Sequence, residues 1–345
     1  MDAETTAGER AATAERQVTD RFVHRYGPVA WARAALPGAG GERTWHYWWH
    51  AHVLHVLGDA ERNRPDARRR RMMRRLARGV TLRTIGRWTT PYYDDIAWMG
   101  LALARTHLNA RALRRISRVL HRAIDPRVGA LPWCVGNDLF NAPANAPGAM
   151  VLALTGHRAE AVALDAWMAS TLDHPDTGLV RDGVEHGVVR SELWTYNQGA
   201  ALGLALLLGE RALADDAHPA WAHVERARAL VAAVERWCAA DDGLFPAAGG
   251  GDGGLFAGIL ARYLAEAAMD LAESGDAEGD ALSRTARRLV QRNADALWDA
   301  RRGGLFPADP RRPARAEGDD LDLSVQVGAW ITLEAAADLE RVFTS

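Results

Sequence analysis

The residues of this sequence best suited to acid–base chemistry are two adjacent aspartates, Asp94 and Asp95. Neighbouring carboxylates repel each other, which raises the pKa of one and keeps it protonated while the other stays ionised. An ionised nucleophile beside a protonated acid is what the retaining hydrolysis of a glycosidic bond requires. The pair therefore indicates a candidate site for cutting a bond between sugars.

A simpler role, helix capping, is also open to the same two acids. Pro91 and the following aspartates are typical of a helix N-terminus, where proline is tolerated and negative charge is stabilised. Two adjacent acids flanked by Tyr92 and Tyr93 are harder to explain as caps than one lone aspartate. Neighbours on a helix point about 100° apart, so both can face one cleft only where the helix end lines its mouth.

The elements around this pair are predicted to be helices. Apolar residues recur at helical spacing, and strand-like alternation is scarce. The clearest stretches are Ile96–Leu108, Leu202–Leu208, Val224–Val234 and Leu323–Leu333. We therefore expect an all-α protein.

Short breaks that contain glycine recur about every 50 to 65 residues, the length of a helical hairpin. They are Asp125–Pro132, His174–Val180, Asp241–Pro246 and Arg302–Pro307. Each glycine is predicted to adopt a positive φ, and the apolar residue after it to return to the core. Six such units predict a closed (α/α)6 toroid, with an open solenoid as the alternative. We expect one domain over residues 1–345, with residues 1–20 either part of it or a loosely ordered extension.

The overall composition gives no indication of nucleic acid or a membrane as partner. The formal net charge is -2, and the longest apolar run, Gly199–Gly209, is too short to span a bilayer. The first residues lack the apolar centre of a secretory signal, so the expected location is the cytoplasm. The sequence is silent on oligomeric state.

Two further groups of side chains admit a binding role. The histidines at positions 46, 50, 52 and 55 have a spacing compatible with metal binding on a helix, but no carboxylate or cysteine lies in register with them. The arginine run from Arg68 to Arg78 lacks the interleaved aromatic residues of a nucleic-acid site. We interpret the histidines as a helix face or sugar contacts, and the arginines as a solvated helix face.

Six blocks in a fixed order make the chain similar to glycoside hydrolase family 76, the endo-α-1,6-mannanase family. They are Trp45–His52, Tyr92–Leu103, Asn141–Pro147, Gly178–Gly183, Trp194–Gly199 and Phe256–Leu264. The resemblance implies an (α/α)6 barrel and a retaining mechanism on α-1,6-linked mannose, in mannan or manno-oligosaccharides. It makes Asp94 the nucleophile and Asp95 the general acid/base, and it implies no metal and no organic cofactor.

The same blocks supply side chains suited to a sugar cleft. Aromatic rings offer flat apolar faces to pyranose rings, and amides both donate and accept hydrogen bonds. The candidate aromatic residues are Trp48, Trp49, Tyr92, Tyr93, Trp133, Trp194 and Tyr196. The candidate amides are Asn141, Asn145, Asn197 and Gln198. Core packing is the alternative for each tryptophan, and a buried polar helix start is the alternative for residues 196–198.

Two other readings of the function remain. One is a different (α/α)6 enzyme, such as an unsaturated uronyl hydrolase or a sugar epimerase. The other is a carbohydrate-binding or scaffold protein without catalysis. The adjacent Asp94 and Asp95 beside the tyrosines favour the hydrolase over both.

Overall fold

Twelve α-helices account for most of the chain that the computed structural model describes, namely residues 5–37, 44–214 and 218–344. In chain order they are α1 (Ala7–Phe22), α2 (Tyr47–Asn63), α3 (Ala67–Arg83), α4 (Tyr93–Thr106), α5 (Ala110–Ala123), α6 (Ala142–Leu154), α7 (Arg158–Thr171), α8 (Thr195–Ala214), α9 (His218–Ala239), α10 (Phe256–Ala272), α11 (Ala277–Ala300) and α12 (Leu323–Phe343). A hairpin is formed by the short strands β1 (Val23–Tyr26) and β2 (Val29–Ala32). A three-stranded antiparallel sheet is formed by β3 (Leu139–Asn141), β4 (Gly183–Glu185) and β5 (Val188–Arg190).

The even-numbered helices form a closed inner ring. α2 packs against α4, α4 against α6, α6 against α8, α8 against α10, α10 against α12, and α12 returns to α2. The odd-numbered helices lie outside this ring: α1 packs against α12, and each of the others packs against the inner helix that follows or precedes it in the chain. The predicted (α/α)6 toroid is confirmed, and ring closure excludes the open solenoid.

Burial distinguishes the two layers. In α12 every residue from Leu323 to Leu339 is buried, because this helix has neighbours on all sides. In α5 the buried residues are Ala112, Ile116, Ser117 and Leu120, one stripe at helical spacing. Fully burying one large apolar side chain contributes about 1.5–3 kcal/mol, so the inner layer provides most of the core's stabilisation.

The four predicted glycine breaks each follow an outer helix and lead to the next inner helix. Gly129, Gly178, Gly243 and Gly304 all have φ between 72° and 79°, which confirms the predicted positive φ. Apolar residues that follow these glycines are buried, as the sequence predicted. They include Leu131, Val180, Phe245 and Phe306.

Within the stretch 1–20, expected to be either part of the domain or a loosely ordered extension, residues 7–20 belong to the outer helix α1. Thr6 and Glu9 form a capping box at the start of α1, and α1 packs along α12. The backbone N–H groups of Ala7 and Gly8 donate to the carboxylate of Glu340, both at 3.1 Å. Among the described helices, none has the length together with the apolar character that a membrane-spanning helix needs.

The arginine run forms the solvent side of α3, with one exception. Arg68, Arg70, Arg71, Arg74 and Arg78 are exposed, as predicted for a solvated helix face. Arg69 is buried instead, and it pairs with Glu15 of α1 and Glu61 of α2. This arginine therefore joins three helices.

Candidate active site

A cleft of about 680 Å³ opens at the end of the ring where the inner helices begin. The side chains that line it come from the first two turns of α2, α4, α8 and α10, from the loops before these helices and before α6, and from β3, β4 and β5. They are Trp45, His46, Tyr47, Trp48, Thr90, Pro91, Tyr92, Asp94, Asp95, Trp98, Trp133, Asn137, Leu139, Asn141, Asp182, Glu185, Arg190, Tyr196, Asp252 and Phe256. Aromatic rings and carboxylates in one cleft of this size can surround and polarise a polar ring-shaped ligand.

Asp94 and Asp95 both lie in the first turn of α4, and their surroundings differ. Asp94 accepts two N–H bonds, from the backbone of Asp95 at 2.8 Å and from the indole Nε1 of Trp133 at 2.9 Å. Among the described residues, the side chain of Asp95 accepts one hydrogen bond, from the hydroxyl of Thr90 at 3.5 Å. Asp94 thus satisfies one amide of the first turn, as the capping interpretation expected, and also faces the cleft. Because donors stabilise a negative charge, this geometry favours an ionised Asp94 beside a protonated Asp95.

The pKa values of the two carboxyls follow the same order. Burial raises the pKa of Asp94 to about 6, against the lowering effect of the backbone and Trp133 donors. Burial raises the pKa of Asp95 further, to about 8, with added repulsion from Asp94 and Asp252. Near neutral pH the pair holds one proton, and that proton belongs to Asp95.

Backbone pairing between two loops places Trp133 beside Asp94. The segment before α4 pairs with the segment after α5: Tyr93 N–H donates to the Trp133 carbonyl, and Val135 N–H donates to the Pro91 carbonyl, both at 2.9 Å. The Trp133 N–H in turn donates to the carbonyl of Leu139, at 2.7 Å. The backbone N–H and carbonyl of Trp133 are therefore both hydrogen-bonded. This fixes the residue that carries the indole and lowers the entropic cost of the bond to Asp94.

Asp252 is a third carboxylate in the cleft. It lies on the 3-10 turn Gly251–Leu255 that leads directly into α10. One of its oxygens, Oδ1, accepts both indole N–H groups of Trp48 and Trp49, each at 2.8 Å. Asp252 is not among the site residues predicted from the sequence. A signal was present, because a lone acid inside six residues that are otherwise all glycine, 249–254, marks a tightly approached loop.

That glycine run is required by close packing. A Cβ on Gly254 would lie 2.5 Å from the backbone nitrogen of Val325, and a Cβ on Gly328 would lie 2.0 Å from the carbonyl oxygen of Gly254. The turn that carries Asp252 is thus pressed against the start of α12. Two further donors, the N–H groups of Gly250 and Gly251, are fixed by carboxylates of the α11–α12 connection.

The three-stranded sheet brings another group of polar side chains to the cleft. β3 ends at Asn141, which lines the cleft, and its buried Oδ1 has no hydrogen-bond partner among the residues that the structure describes. Asp182, before β4, accepts from Asn197 at 3.2 Å, and burial raises its pKa. Glu185 and Arg190 pair across the β4–β5 hairpin at the rim. Asp182, Glu185 and Arg190 were not among the predicted site residues.

Aromatic side chains form the opposite wall. Tyr196 stacks on Phe256 with ring centroids 3.8 Å apart and planes within 5°. Trp194 stands against the edge of Phe256 at 5.8 Å and is 36% exposed. Tyr92 contacts Trp133 at 5.1 Å and is 41% exposed, so one ring of this pair is open to a ligand.

Two of the amides predicted to bind substrate have a structural role instead. Asn145 is fully buried and bonds the backbone N–H and carbonyl of Leu131, both at 2.8 Å. Gln198 does the same for Val180, with both distances 2.7 Å. Each amide donates two hydrogen bonds and accepts one within these loops, and both residues are fully buried and do not line the cleft.

Other predicted residues do not line the cleft. Asn197 is buried and orients Asp182, Trp49 is buried and orients Asp252, and Tyr93 and Trp194 do not line the cleft. The predicted residues that do line it are Asp94, Asp95, Trp48, Tyr92, Trp133, Asn141 and Tyr196. Sequence alone could not separate these two sets, because both kinds of residue follow the same helix starts.

The histidines of α2 have separate surroundings. His50 is buried between two backbone groups: its Nε2 accepts from Ala32 N–H at 2.9 Å, and its Nδ1 meets the His46 carbonyl at 2.7 Å. His52 packs on the rings of Trp48 and Trp98. Burial lowers the pKa of His50 to about 4, so this imidazole is neutral.

A second cavity, of about 740 Å³, lies at the other end of the ring, where the inner helices end. Its wall includes four leucines, three methionines and four acids, and one of these acids, Glu266, pairs with Arg105. Tyr263 is its one aromatic lining residue among the side chains that the structure describes. The cleft at the helix starts, with its carboxyl pair and several rings, is therefore the candidate for sugar chemistry.

Solved structures with the same fold cover nearly the whole chain. GH76A α-1,6-mannanase from Salegentibacter sp. HEL1_6 aligns with a TM-score of 0.84 at 23% identity, over 97% of this chain and 100% of that one. An inactive variant of that enzyme, with two consecutive aspartates replaced by asparagine and α-1,6-mannotriose bound, aligns at 0.83 and 22%, over 97% and 100%. The Lin0763 protein from Listeria innocua aligns at 0.81 and 22%, over 97% and 98%. No protein of curated function matches the sequence.

The sequence pattern described as glycosyl hydrolase family 76 matches residues 10–305, which contain the whole of the cleft described above. The match takes in the acid pair on α4, the loops that pair beside it and the turn before α10. On this evidence, the chain belongs to glycoside hydrolase family 76.

Proposed function

We propose that this glycoside hydrolase cleaves α-1,6-mannosidic bonds in mannan or manno-oligosaccharides with retention of the anomeric configuration. Asp94 is the nucleophile and Asp95 the general acid/base. The observation that carries the proposal is the unequal environment of the two carboxyls, with two N–H donors on Asp94 and one distant hydroxyl on Asp95.

The reaction then runs in two displacements. The ionised Asp94 attacks the anomeric carbon while Asp95 gives its proton to the leaving glycosidic oxygen, which breaks the bond between the sugars. Asp95, now ionised, takes a proton from a water that attacks the glycosyl–Asp94 ester and releases the sugar. The two inversions at carbon together give retention.

The specificity for mannose is supported by the relatives. Two of the most similar folds are an α-1,6-mannanase and its inactive double-aspartate variant with α-1,6-mannotriose. Within this chain, the Tyr196–Phe256 stack, the Tyr92–Trp133 pair and the free oxygen of Asn141 supply apolar faces and an acceptor for sugar rings.

Hydrolysis of α-1,6-mannotetraose followed by proton NMR tests the proposal. We expect the wild type to release the α-anomer first, and Asp94→Asn and Asp95→Asn each to lose activity by at least about 10³-fold. Asp276→Asn is the matched control, because Asp276 is an aspartate that caps a helix, α11, far from the cleft.

Three results would overturn the assignment. Early release of the β-anomer would show inversion, for which carboxyl groups typically lie about 6.5–9.5 Å apart. Near-normal activity in a folded Asp94→Asn or Asp95→Asn variant would show that the pair is not the catalytic pair. Binding of the tetrasaccharide without any cleavage by the wild type would indicate a carbohydrate-binding protein.

A further inference from the structure

Two histidines and a glutamate meet on the outer surface of the ring, away from the cleft. His121 lies near the end of α5, His157 precedes the first residue of α7, and Glu160 is in the first turn of α7. Glu160 Oε1 lies 2.9 Å from His121 Nε2 and 3.8 Å from His157 Nδ1. The two imidazole rings are 4.6 Å apart. One potential ligand atom from each side chain therefore faces a common point.

The spacing of these three atoms is that of a metal site. They all lie within 4.8 Å of one another. Tetrahedral zinc with bonds of about 2.0–2.1 Å places its ligand atoms about 3.3 Å apart. The two measured separations, 2.9 and 3.8 Å, fall on either side of that value, so small side-chain rotations are enough to complete the geometry.

The helices hold the three side chains in place before any metal arrives. Ser117, one turn before His121, shares a 2.6 Å hydrogen bond with Thr155, just before His157. This bond fixes the end of α5 against the start of α7.

The chemistry of the three side chains suits a transition-metal cation. Among the residues that the structure describes, the ion-pair partners of Glu160 are His121 and His157, and no arginine competes for its carboxylate. Two imidazoles with one carboxylate suit zinc and similar transition ions, whereas magnesium and calcium prefer oxygen ligands alone.

We propose that His121, His157 and Glu160 form a binding site for one Zn²⁺ ion that ties α5 to α7. Three protein ligands leave the fourth tetrahedral position to water, because the site is open to solvent on one side. The ion stabilises the outer layer at this point, and it is independent of the hydrolytic mechanism of the cleft.

Isothermal titration of the metal-free full-length protein with ZnCl₂ at pH 7.5 tests this. We expect one site with a dissociation constant in the low micromolar range or below, and a higher thermal midpoint with zinc than without. His157→Ala and Glu160→Gln should each weaken binding at least about 10-fold, and should abolish the rise in thermal midpoint. Binding should also weaken at pH 5.5, because metal ligands must be deprotonated.

His186→Ala is the matched control, since His186 is also an exposed histidine beside a carboxylate, 3.5 Å from Asp138, but has no second histidine. Its zinc affinity should equal that of the wild type. Co²⁺ added in place of zinc should give the visible absorption of a tetrahedral site in the wild type and in His186→Ala, but not in His157→Ala or Glu160→Gln. Absence of one-to-one binding, or unchanged affinity in both His157→Ala and Glu160→Gln, would overturn the proposal.

Discussion

The hydrogen bond from Trp133 to Asp94 is the contact whose removal tests the proposed roles of the two acids most directly. Trp133→Phe keeps an aromatic ring but deletes the indole N–H that lies 2.9 Å from Asp94 Oδ2. That donor stabilises the ionised carboxylate, so its loss raises the pKa of Asp94. A nucleophile must be ionised, so the acidic limb of the rate profile must move to higher pH.

The size of the shift follows from the energy of the bond. A hydrogen bond to a charged group contributes about 1.5–3 kcal/mol, and one pKa unit corresponds to about 1.4 kcal/mol. We therefore expect the pKa of Asp94 to rise by about 1–2 units from its value of about 6. At pH 6 the ionised fraction, and kcat/KM with it, should fall about 5- to 50-fold.

The assay is kcat/KM for an α-1,6-manno-oligosaccharide between pH 4 and 9. Trp194→Phe is the control, because it removes an indole at the rim of the aromatic wall that donates to neither acid. Its acidic limb should coincide with that of the wild type. If Trp133→Phe lowers activity equally at every pH, the indole contributes to binding or packing, and the proposed stabilisation of an ionised Asp94 is wrong.

Two further predictions concern the neighbours of the pair. Asp252→Asn removes a like charge that raises the pKa of Asp95, so the alkaline limb of the rate profile should move to lower pH; an unmoved alkaline limb would contradict this. Gln198→Ala and Gln326→Ala should each lower the free energy of unfolding, measured in urea, by about 2–4 kcal/mol, because each leaves a buried backbone N–H and carbonyl without partners. Neither should change KM more than about twofold, whereas a large KM increase in Gln198→Ala alone would restore it as a substrate ligand.

The fold and the acid pair could be predicted because their signals are local. Helical periodicity, the glycine breaks and the adjacent Asp94 and Asp95 are each visible within a short window of sequence. The bond between Trp133 and Asp94 could not be predicted, because it depends on the pairing of two loops on either side of α5. Asp252, before α10, meets Trp48 of α2 only because α12 packs between these two helices and closes the ring. No local pattern in the sequence encodes this closure.

The position of Asn145 and Gln198 away from the cleft has a different physical reason. Asn145, Gln198 and Gln326 each lie three residues after the first residue of an inner helix, and each bonds both backbone groups of a buried residue in the preceding loop. From sequence alone, a buried amide that hydrogen-bonds a loop backbone (a loop clamp) cannot be distinguished from an exposed amide that binds a sugar. The recurrence in α6, α8 and α12 shows that this clamp belongs to the helical repeat. Gln326, outside the six quoted blocks, shows that the clamp does not depend on the site.

Because the acid pair lies at a helix start, two opposing effects on the pKa values of its carboxyls can be compared. The dipole of α4 favours negative charge in its first turn by about 0.3–1 kcal/mol, which would lower a carboxyl pKa by less than one unit. The pKa of Asp94 is nevertheless raised, from 3.8 to about 6, an opposing free energy of about 3 kcal/mol. The effect of burial on the pKa of Asp94 is therefore several times larger than the effect of the helix dipole. Protonation of the pair depends on the depth of the cleft and on the neighbouring charge of Asp252, while the helix start serves to aim both carboxyls at one point.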